Sequence, residues 1–345
     1  MPTDINSQPL VSVIIPTYNR PQYLREAIAS AVQQTYQNLE IIVSDDCSTE
    51  NPQAIVESFQ DARIRWRRNP TNLGIGLNVT AAFKEARGKY VASLNDDDLW
   101  NADFLEKLVP PLEANPDLVL AFCDYYVIDP DGTINPVDTE KKTRSEKRDR
   151  LQAGIYQPFW DIGLVDQAVF TASAAVIRQD AVAWDQVFEA GVFWDYYLAY
   201  LACRSGRGAY YCPERLSRYR VHPQSENMIS GSKNAQAKIR KGKAAIFCYE
   251  RFKEDTQLQA FRSQFEQRWA HANTTLGIGY LRANQVEAAR PYLLRALRQQ
   301  KLSVRTIVAL ALSFVPQPLA RPFLYIRNLT QDPKRFKNWL WLVRN

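Results

Sequence analysis

The chain has 345 residues, of which 46% are hydrophobic, 12% aromatic and 23% charged. Such values belong to a folded globular protein of one large domain or two, and they exclude a disordered tail protein or a fibrous repeat. Residues 1–226 hold 22 Lys and Arg against 31 Asp and Glu, whereas residues 227–345 hold 21 against 6, so within the overall +6 an acidic body (net −9) carries a strongly basic appendage (net +15).

Strand and helix signals alternate over the first 125 residues. Val11 to Ile15 is a short β-branched run closed by Pro16. Residues 21–34 place Leu24, Ala27, Ile28 and Ala31 at helical spacing. Leu39 to Val43 reads as a second strand, 52–59 as a helix, and Arg63 to Arg67 as a half-buried third strand. Residues 77–87 read as a helix with Gly88 as its C′ glycine. Tyr90 to Leu94 is a fourth strand, 102–114 a helix and Leu118 to Phe122 a fifth strand. This alternation predicts an α/β fold with a doubly wound, mostly parallel sheet covered on both faces by helices. Asp131-Gly132 marks a hairpin turn. Residues 138–150, with six basic and four acidic side chains and no large apolar one, read as a solvated loop rather than a binding patch. Residues 193–204 predict an aromatic-rich helix, followed by short strands at Ala209 to Cys212 and Leu216 to Val221. The first domain is placed at 1–226. Residues 227–345 predict a basic α-helical region, in which Leu276-Gly277, Tyr280, Ala289, Leu293 and Ala296 fit one tetratricopeptide-like hairpin.

Five scattered cysteines without C-x-x-C spacing indicate neither a disulfide framework nor a zinc site. Two histidines, His222 and His271, leave no His-rich metal site. Met1 to Pro9 carry no basic stretch ahead of the apolar run, so no signal peptide is expected, and the apolar run Ile307 to Val315 is too short to span a bilayer. A cytoplasmic protein, soluble or peripheral at the inner face of the membrane, is the expectation.

Ligands of an open α/β sheet bind at the carboxyl ends of its strands. Three loops there are chemically loaded: Pro16-Thr17-Tyr18-Asn19, Asp45-Asp46-Cys47-Ser48 and Asn95-Asp96-Asp97-Asp98. Each residue type also caps helices and makes turns. Crowded carboxylates repel by about 4 kcal/mol per pair at 4 Å and an effective dielectric near 20. A divalent cation relieves that repulsion, and hard oxygen ligands suit Mg²⁺ or Mn²⁺ rather than zinc. There is no G-x-G-x-x-G after the first strand, no P-loop lysine after Gly74-Ile75-Gly76, and no G-x-S-x-G elbow.

Taken in order, Val11-Ser12-Val13-Ile14-Ile15-Pro16-Thr17-Tyr18-Asn19-Arg20, Asp45-Asp46-Cys47-Ser48, Asn72-Leu73-Gly74, Gly88-Lys89-Tyr90-Val91 and Leu94-Asn95-Asp96-Asp97-Asp98 resemble the inverting glycosyltransferases of family 2. The likeness covers roughly residues 10–125 and continues more weakly to about 226. It implies a GT-A fold, a nucleoside-diphosphate-sugar donor with UDP the expected nucleotide, and Mn²⁺ or Mg²⁺. It places Pro16, Thr17, Tyr18, Asp45, Asp46, Asn72, Asn95 and Asp96 around the donor nucleotide. Tyr18 would pack on the base, and Asp46, ahead of Asp45, would accept a hydrogen bond from it. Asp97 matches the metal-binding carboxylate of the family's D-x-D motif, whose first position is Asn95 here. Phe193-Trp194-Asp195-Tyr196 matches the acceptor-side Glu-Asp pair with Trp194 in place of Glu, which makes Asp195 the implied base and Glu189 the reserve. An inverting displacement needs one carboxylate to take the acceptor proton as the sugar is attacked. An N-terminal cap or an ion pair with Arg204 or Arg207 is the structural alternative for Asp195. Arg218-Tyr219-Arg220-Val221-His222 resembles the family's closing segment and implies diphosphate contact for Arg220 and metal ligation for His222; a satisfied structural histidine is the alternative.

In Arg321 to Arg344, six basic residues interleave with Phe, Tyr, Leu and Trp. That pattern suits an anionic membrane surface and equally a helical face packing on the acidic body; a nucleic-acid partner is not expected. The partners implied are therefore a sugar nucleotide and a hydroxyl acceptor, such as a glycan or lipid-linked glycan of cell-envelope polysaccharide synthesis. Asn95 and Trp194 keep open a second reading, a weak or inactive scaffold that binds sugar nucleotide and docks through the basic region.

Overall fold

A computed structural model describes residues 8–225, 228–229, 234–299 and 303–324; the side chains of Gln317 and residues 321–323 are not described. His222 ends a first compact unit and Pro223 begins a second.

In the first unit, β1 (Val11–Thr17), β2 (Leu39–Asp45), β3 (Ile64–Arg68) and β4 (Tyr90–Ser93) lie parallel in the order 3-2-1-4. Every residue of β1 and β2 is buried, the signature of a sheet covered on both faces. The helices are α1 (Pro21–Val32), α2 (Gln53–Glu57), α3 (Ile75–Phe83) and α4 (Phe104–Ala114). Pro21 opens α1, where its fixed φ and missing N–H cost nothing. Beyond β4 the sheet is mixed. It adds β5 (Leu99–Trp100), β6 (Leu118–Ile128), β7 (Gly154–Tyr156), β8 (Ala175–Arg178) and β9 (Gly208–Arg220) in the overall order β3-β2-β1-β4-β8-β6-β9-β5, with β7 on β9. β8 runs antiparallel to both β4 and β6, and β6 and β9 form a long parallel pair.

Four sequence expectations change. The helix over 77–87 starts at Ile75 and ends at Phe83, so Gly88 is no C′ glycine. Gly88 is required for close approach instead: a Cβ there would lie 2.6 Å from the Ser12 amide nitrogen and 2.8 Å from the Leu10 carbonyl oxygen. The two short strands at 209–212 and 216–221 are one strand, β9. Residues 138–150 are not a solvated loop. They form α5 (Pro136–Ser145) and a 3-10 turn, Arg148–Arg150. Asn135 caps α5 by accepting from the Asp138 N–H, Pro136 opens it, and Lys142 pairs with Glu146 one turn on. Arg148, fully buried, anchors the segment: its Nε donates to Asp124 at 2.6 Å, Nη1 to Glu146, and its guanidinium lies 3.9 Å above the Tyr125 ring. Asp124 sits at a register break of the β6–β9 pair, which turns its carboxylate toward Arg148 and Arg215.

The second unit is helical: α7 (Ala235–Glu254), α8 (Arg262–Arg282), α9 (Val286–Gln299), α10 (Val304–Leu312) and α11 (Gln317–Leu324). Gly277 lets α8 meet α9 closely; a Cβ would lie 2.6 Å from Leu293 Cγ. Leu281, Ala289, Leu293, Val308, Leu312, Ala320 and Leu324 share one core. Of the expected membrane-directed tail, Arg321 to Arg344, only residues 321–324 are among the described residues.

Candidate active site

Strand order reverses at β1, with β2 and β3 to one side and β4 to the other. Ligands of such sheets bind at this switch point, beyond the carboxyl ends of the strands. Two sequence loops meet there. Asp96 (3% exposed), Asp97 (8%) and Asp98 (0%) follow β4 in a tight turn. Asp96 accepts from Thr17 Oγ1 at 2.8 Å and from the Tyr18 N–H, which ties the ends of β1 and β4 together. Arg20 Nη1 bridges Asp96 Oδ1 at 2.9 Å and Asp97 Oδ2 at 2.8 Å. Burial works against the Arg20 charge, yet the two carboxylates outweigh it and raise its pKa. Burial pushes Asp96 and Asp98 upward; at Asp96 the Arg20 charge opposes the shift, and Asp97 adds to both. Asp98 does not cap α4: its carboxylate accepts from Ser173 Oγ at 2.6 Å, Asn95 Nδ2 at 3.2 Å and the Arg220 N–H at 2.9 Å.

His222 Nε2 lies 2.9 Å from Asp97 Oδ2, and its ring packs on Tyr23 at 4.8 Å. Arg220, fully buried, stands behind the turn. Its Nε donates to the Asp97 carbonyl, Nη1 to the Pro130 carbonyl and Nη2 to Glu26 at 2.6 Å, with Tyr23 beneath the guanidinium. All three of its nitrogens are thus engaged within the protein.

At the end of β2, Pro16 and Thr17 register with Ser44 and Asp45. Asp45 is fully buried, accepts from the Ser48 backbone N–H and hydroxyl, and has Arg68 Nε 3.5 Å away. Asp46 accepts from Asn69 Nδ2, the Leu73 N–H and the Gly74 N–H at 2.8–2.9 Å. It therefore holds the loop that carries the exposed Asn72. Tyr18 is 45% exposed at the rim, where a planar ligand can reach its ring.

Asp195 lies in the first turn of α6 (Trp194–Arg204), at the positive end of the helix dipole. The residue is half-buried; Oδ1 accepts from the Tyr196 N–H at 2.8 Å, and Oδ2 has no hydrogen-bond partner among the described residues. Burial pushes its carboxyl up to about 6, with Lys142 and Glu146 of the α5 segment acting in opposite senses. It neither caps the helix nor pairs with Arg204 or Arg207: the cap position is Phe193, and Arg207 pairs with Asp180. Trp194 faces the core against Phe83. Glu189 is exposed on the neighbouring 3-10 stretch Trp184–Phe193.

Three residues that carry no role in the sequence reading build this site. Arg20 supplies the cation between Asp96 and Asp97, and only its place beside Asn19 in the first motif signals it. Ser173 bonds to Asp98 and to the Asn95 N–H, while Thr171 Oγ1 donates to the Asp195 carbonyl at 2.6 Å. The turn 171–173 thereby links the carboxylate loop to α6, through residues that no motif marks.

Among the described residues, no group of three or more His, Cys, Asp and Glu side chains could hold a metal by itself. The buried Asp97–His222 pair, 2.9 Å apart, offers one carboxylate and one imidazole as candidate ligands for a divalent cation.

The profile of Glycosyl transferase family 2 matches residues 12–181. An uncharacterized glycosyltransferase of Haemophilus influenzae is 31% identical over 234 residues, 67% of this chain and 71% of its own. The UDP-Glc:alpha-D-GlcNAc-diphosphoundecaprenol beta-1,3-glucosyltransferase WfgD of Escherichia coli is 31% identical over 138 residues, 40% of this chain and 54% of its own. The chain spans about half the length of most such curated relatives. Among solved structures, Staphylococcus aureus TarS 1-349 in complex with UDP-GlcNAc superposes with TM-score 0.60 at 16% identity, over 91% of this chain and 89% of that one. The mannosyltransferase PcManGT of Pyrobaculum calidifontis, in complex with GDP-Man and Mn²⁺, gives 0.53 at 17% over 89% and 88%. The fold is GT-A with a C-terminal helical region, and the chain belongs to glycosyl transferase family 2.

Proposed function

We propose that the chain is an inverting glycosyltransferase that moves a sugar from a nucleoside diphosphate, UDP being the expected nucleotide, to a hydroxyl of a glycan or lipid-linked glycan in cell-envelope polysaccharide synthesis. The observation that carries this reading is a pair of unlike carboxylates on two elements that the 171–173 turn ties together. Asp97 is buried against a cation and His222, whereas Asp195 leaves one oxygen uncommitted and has its carboxyl pushed up to about 6. Names of relatives support the substrate class: WfgD acts on a diphosphoundecaprenol acceptor, and TarS was solved with UDP-GlcNAc.

In this reading Tyr18 stacks on the base, and Asp46 orders the 69–74 loop against it. Asp97 and His222 would hold Mn²⁺ or Mg²⁺, a choice supported by the Mn²⁺ complex of PcManGT. The bound cation would neutralise charge on the departing diphosphate. Asp195 Oδ2 accepts the acceptor's hydroxyl proton as its oxygen attacks the anomeric carbon. A hydroxyl of pKa about 15 is not ionised beforehand, so proton transfer accompanies attack. A base poised near pH 6 is ionised at neutral pH without being too weak to take the proton. Arg220 acts as a brace beneath the metal-binding turn.

The test is calorimetric titration with UDP, GDP, dTDP and CDP, each with and without Mn²⁺, on wild type and Asp97→Asn. Metal-dependent binding of one nucleotide that weakens in Asp97→Asn is the expected result. No binding of any of the four by folded protein sinks the proposal.

A further inference from the structure

The Asp195 side chain turns about χ1 and χ2 alone, and the Tyr196 N–H holds its Oδ1 at 2.8 Å. With that bond made, the direction of Oδ2 follows the first turn of α6. This turn has no side-chain cap of its own, because Phe193 stands at the cap position. Contacts from other segments hold it instead. Thr171, 1% exposed, donates through Oγ1 to the Asp195 carbonyl at 2.6 Å. The chain enters α6 through Gly191 at φ 54° and ψ −121°, a conformation open to glycine. Gly76 of α3 packs against this bend: a Cβ on Gly76 would lie 2.6 Å from the Phe188 carbonyl oxygen and 3.1 Å from Gly191 Cα.

Both contacts lead back to the donor side. Ser173, fully buried, donates to Asp98 at 2.6 Å and accepts from the Asn95 N–H at 3.1 Å, and its carbonyl accepts from Trp100 Nε1 at 2.7 Å. The turn that carries Thr171 is therefore fixed to the Asn95–Asp98 loop. The chain entering α3 is fixed to Asp46 through the Leu73 and Gly74 N–H groups. A carbonyl in the first turn of a helix already accepts an intrahelical bond, so the Thr171 hydroxyl takes its second lone pair and is not needed to satisfy it. The consequence of the bond is placement: it sets where α6 begins relative to the carboxylate loop.

We propose that Thr171 is a positioning residue for the transfer, holding the first turn of α6 at a fixed offset from the Asp96-Asp97-Asp98 turn so that Asp195 Oδ2 meets the acceptor hydroxyl beside the donor's anomeric carbon. Gly191 seats the same turn from the nucleotide side. The inference rests on the reading of Asp195 as the base. Asp195 touches the acceptor, whereas Thr171 touches only the main chain of Asp195 and acts through it. A misplacement of about 1 Å at a reacting group can cost about 10²-fold in rate. Loss of the Thr171 hydroxyl therefore lowers turnover and leaves the contacts of the nucleotide as they are.

The test compares full-length wild type with Thr171→Val, which keeps the shape and removes the hydroxyl, and with Thr171→Ser, which keeps the hydroxyl. Thr171→Ala replaces the valine variant should circular dichroism show that variant unfolded. In protein isotope-labelled at the aspartate side-chain carboxyl, the Asp195 signal is assigned by its absence in Asp195→Asn and titrated with pH by NMR, without nucleotide. Thr171→Val should move the midpoint toward the ordinary carboxylate range, because a freed turn admits water, and Thr171→Ser should keep the wild-type midpoint. One midpoint in all variants, or a serine variant that moves as far as valine, overturns the proposal. Turnover is read as release of UDP from UDP-glucose and from UDP-N-acetylglucosamine, with water as the acceptor. In Thr171→Val, kcat should fall about 10- to 100-fold with the donor KM unchanged, and adding Thr171→Val to Asp195→Asn should cost nothing further. Losses that multiply overturn the proposal, since Thr171 then acts apart from Asp195. Wild type that releases no UDP, beside an Asp195 midpoint that depends on the Thr171 hydroxyl, sinks the transferase reading and leaves the positioning of the carboxylate standing.

Discussion

Asp195 shows how one side chain can be costly to the fold and useful to the reaction. Its carboxyl is pushed up to about 6 from an ordinary value near 4. The charged form is therefore disfavoured in the native state, and stability is lost as pH rises from about 4 through 6. Asp195→Asn should match wild-type melting temperature near pH 4 and exceed it above pH 6, while turnover falls about 10²- to 10⁴-fold and nucleotide affinity stays unchanged. In wild type, kcat/KM should fall tenfold per unit below about pH 6. A flat acid limb, or an active Asn variant, would remove Asp195 from the base role. Arg20 calls for a different measurement. Its cation already neutralises Asp97, so it opposes a divalent ion at the same oxygen. In nucleotide-free protein, Arg20→Gln should bind Mn²⁺ at least about tenfold more tightly, as read by calorimetry; unchanged affinity would show that the two cations do not share Asp97.

Among the elements, α5 and the turn after it reveal most about local against tertiary signals. Their composition is that of a solvated loop, yet Asn135 and Pro136 start a helix and Arg148 ends buried beside Asp124, Glu146 and Tyr125. Removing one partner of a buried ion pair leaves the other desolvated and unmatched, at about 3–5 kcal/mol. Arg148→Met should therefore lower unfolding stability by about 3 kcal/mol, the lower end because Arg215 still holds Asp124. Adding Asp124→Asn should recover most of that loss in urea denaturation. Additive losses would mean that the pair is not coupled. The turn 171–173 works at the same scale. Its two hydroxyls tie the carboxylate loop to α6, so the two halves of the site depend on a segment without a motif.

For the molecule as a whole, the charge division coincides with a division of chemistry. The acidic unit holds the carboxylate site, and the basic unit holds a helical core. No helix among the described residues is long and apolar enough to cross a membrane. Ending the chain after Leu324 keeps Ala320 and Leu324 in the core of the second unit and removes Trp339, Trp341 and most of the tail's basic residues. This shortened chain should bind nucleotide as wild type does and lose sedimentation with anionic vesicles. Retained sedimentation would transfer membrane docking from the tail to the folded units.

Order and type of the main elements over the first 125 residues were readable from sequence because burial on both faces forces continuous apolar strands, and helices betray themselves by their period. The carboxylate loops were readable too, since Asp and Asn at strand ends follow from the sheet's geometry alone. Which of those carboxylates is engaged and which is open was decided by tertiary structure. Asp45 and Asp98 turn inward to Ser48 and Ser173, whereas Asp195 keeps an oxygen uncommitted. The bracing contacts of Arg220, expected instead at the diphosphate, and the contacts of Arg148, Thr171 and Ser173 were illegible for the same reason. Each acts through a partner 24 to 123 residues away, and hydrogen bonding at that separation leaves no periodic trace in the chain. It exists only once the sheet has closed the loop between them.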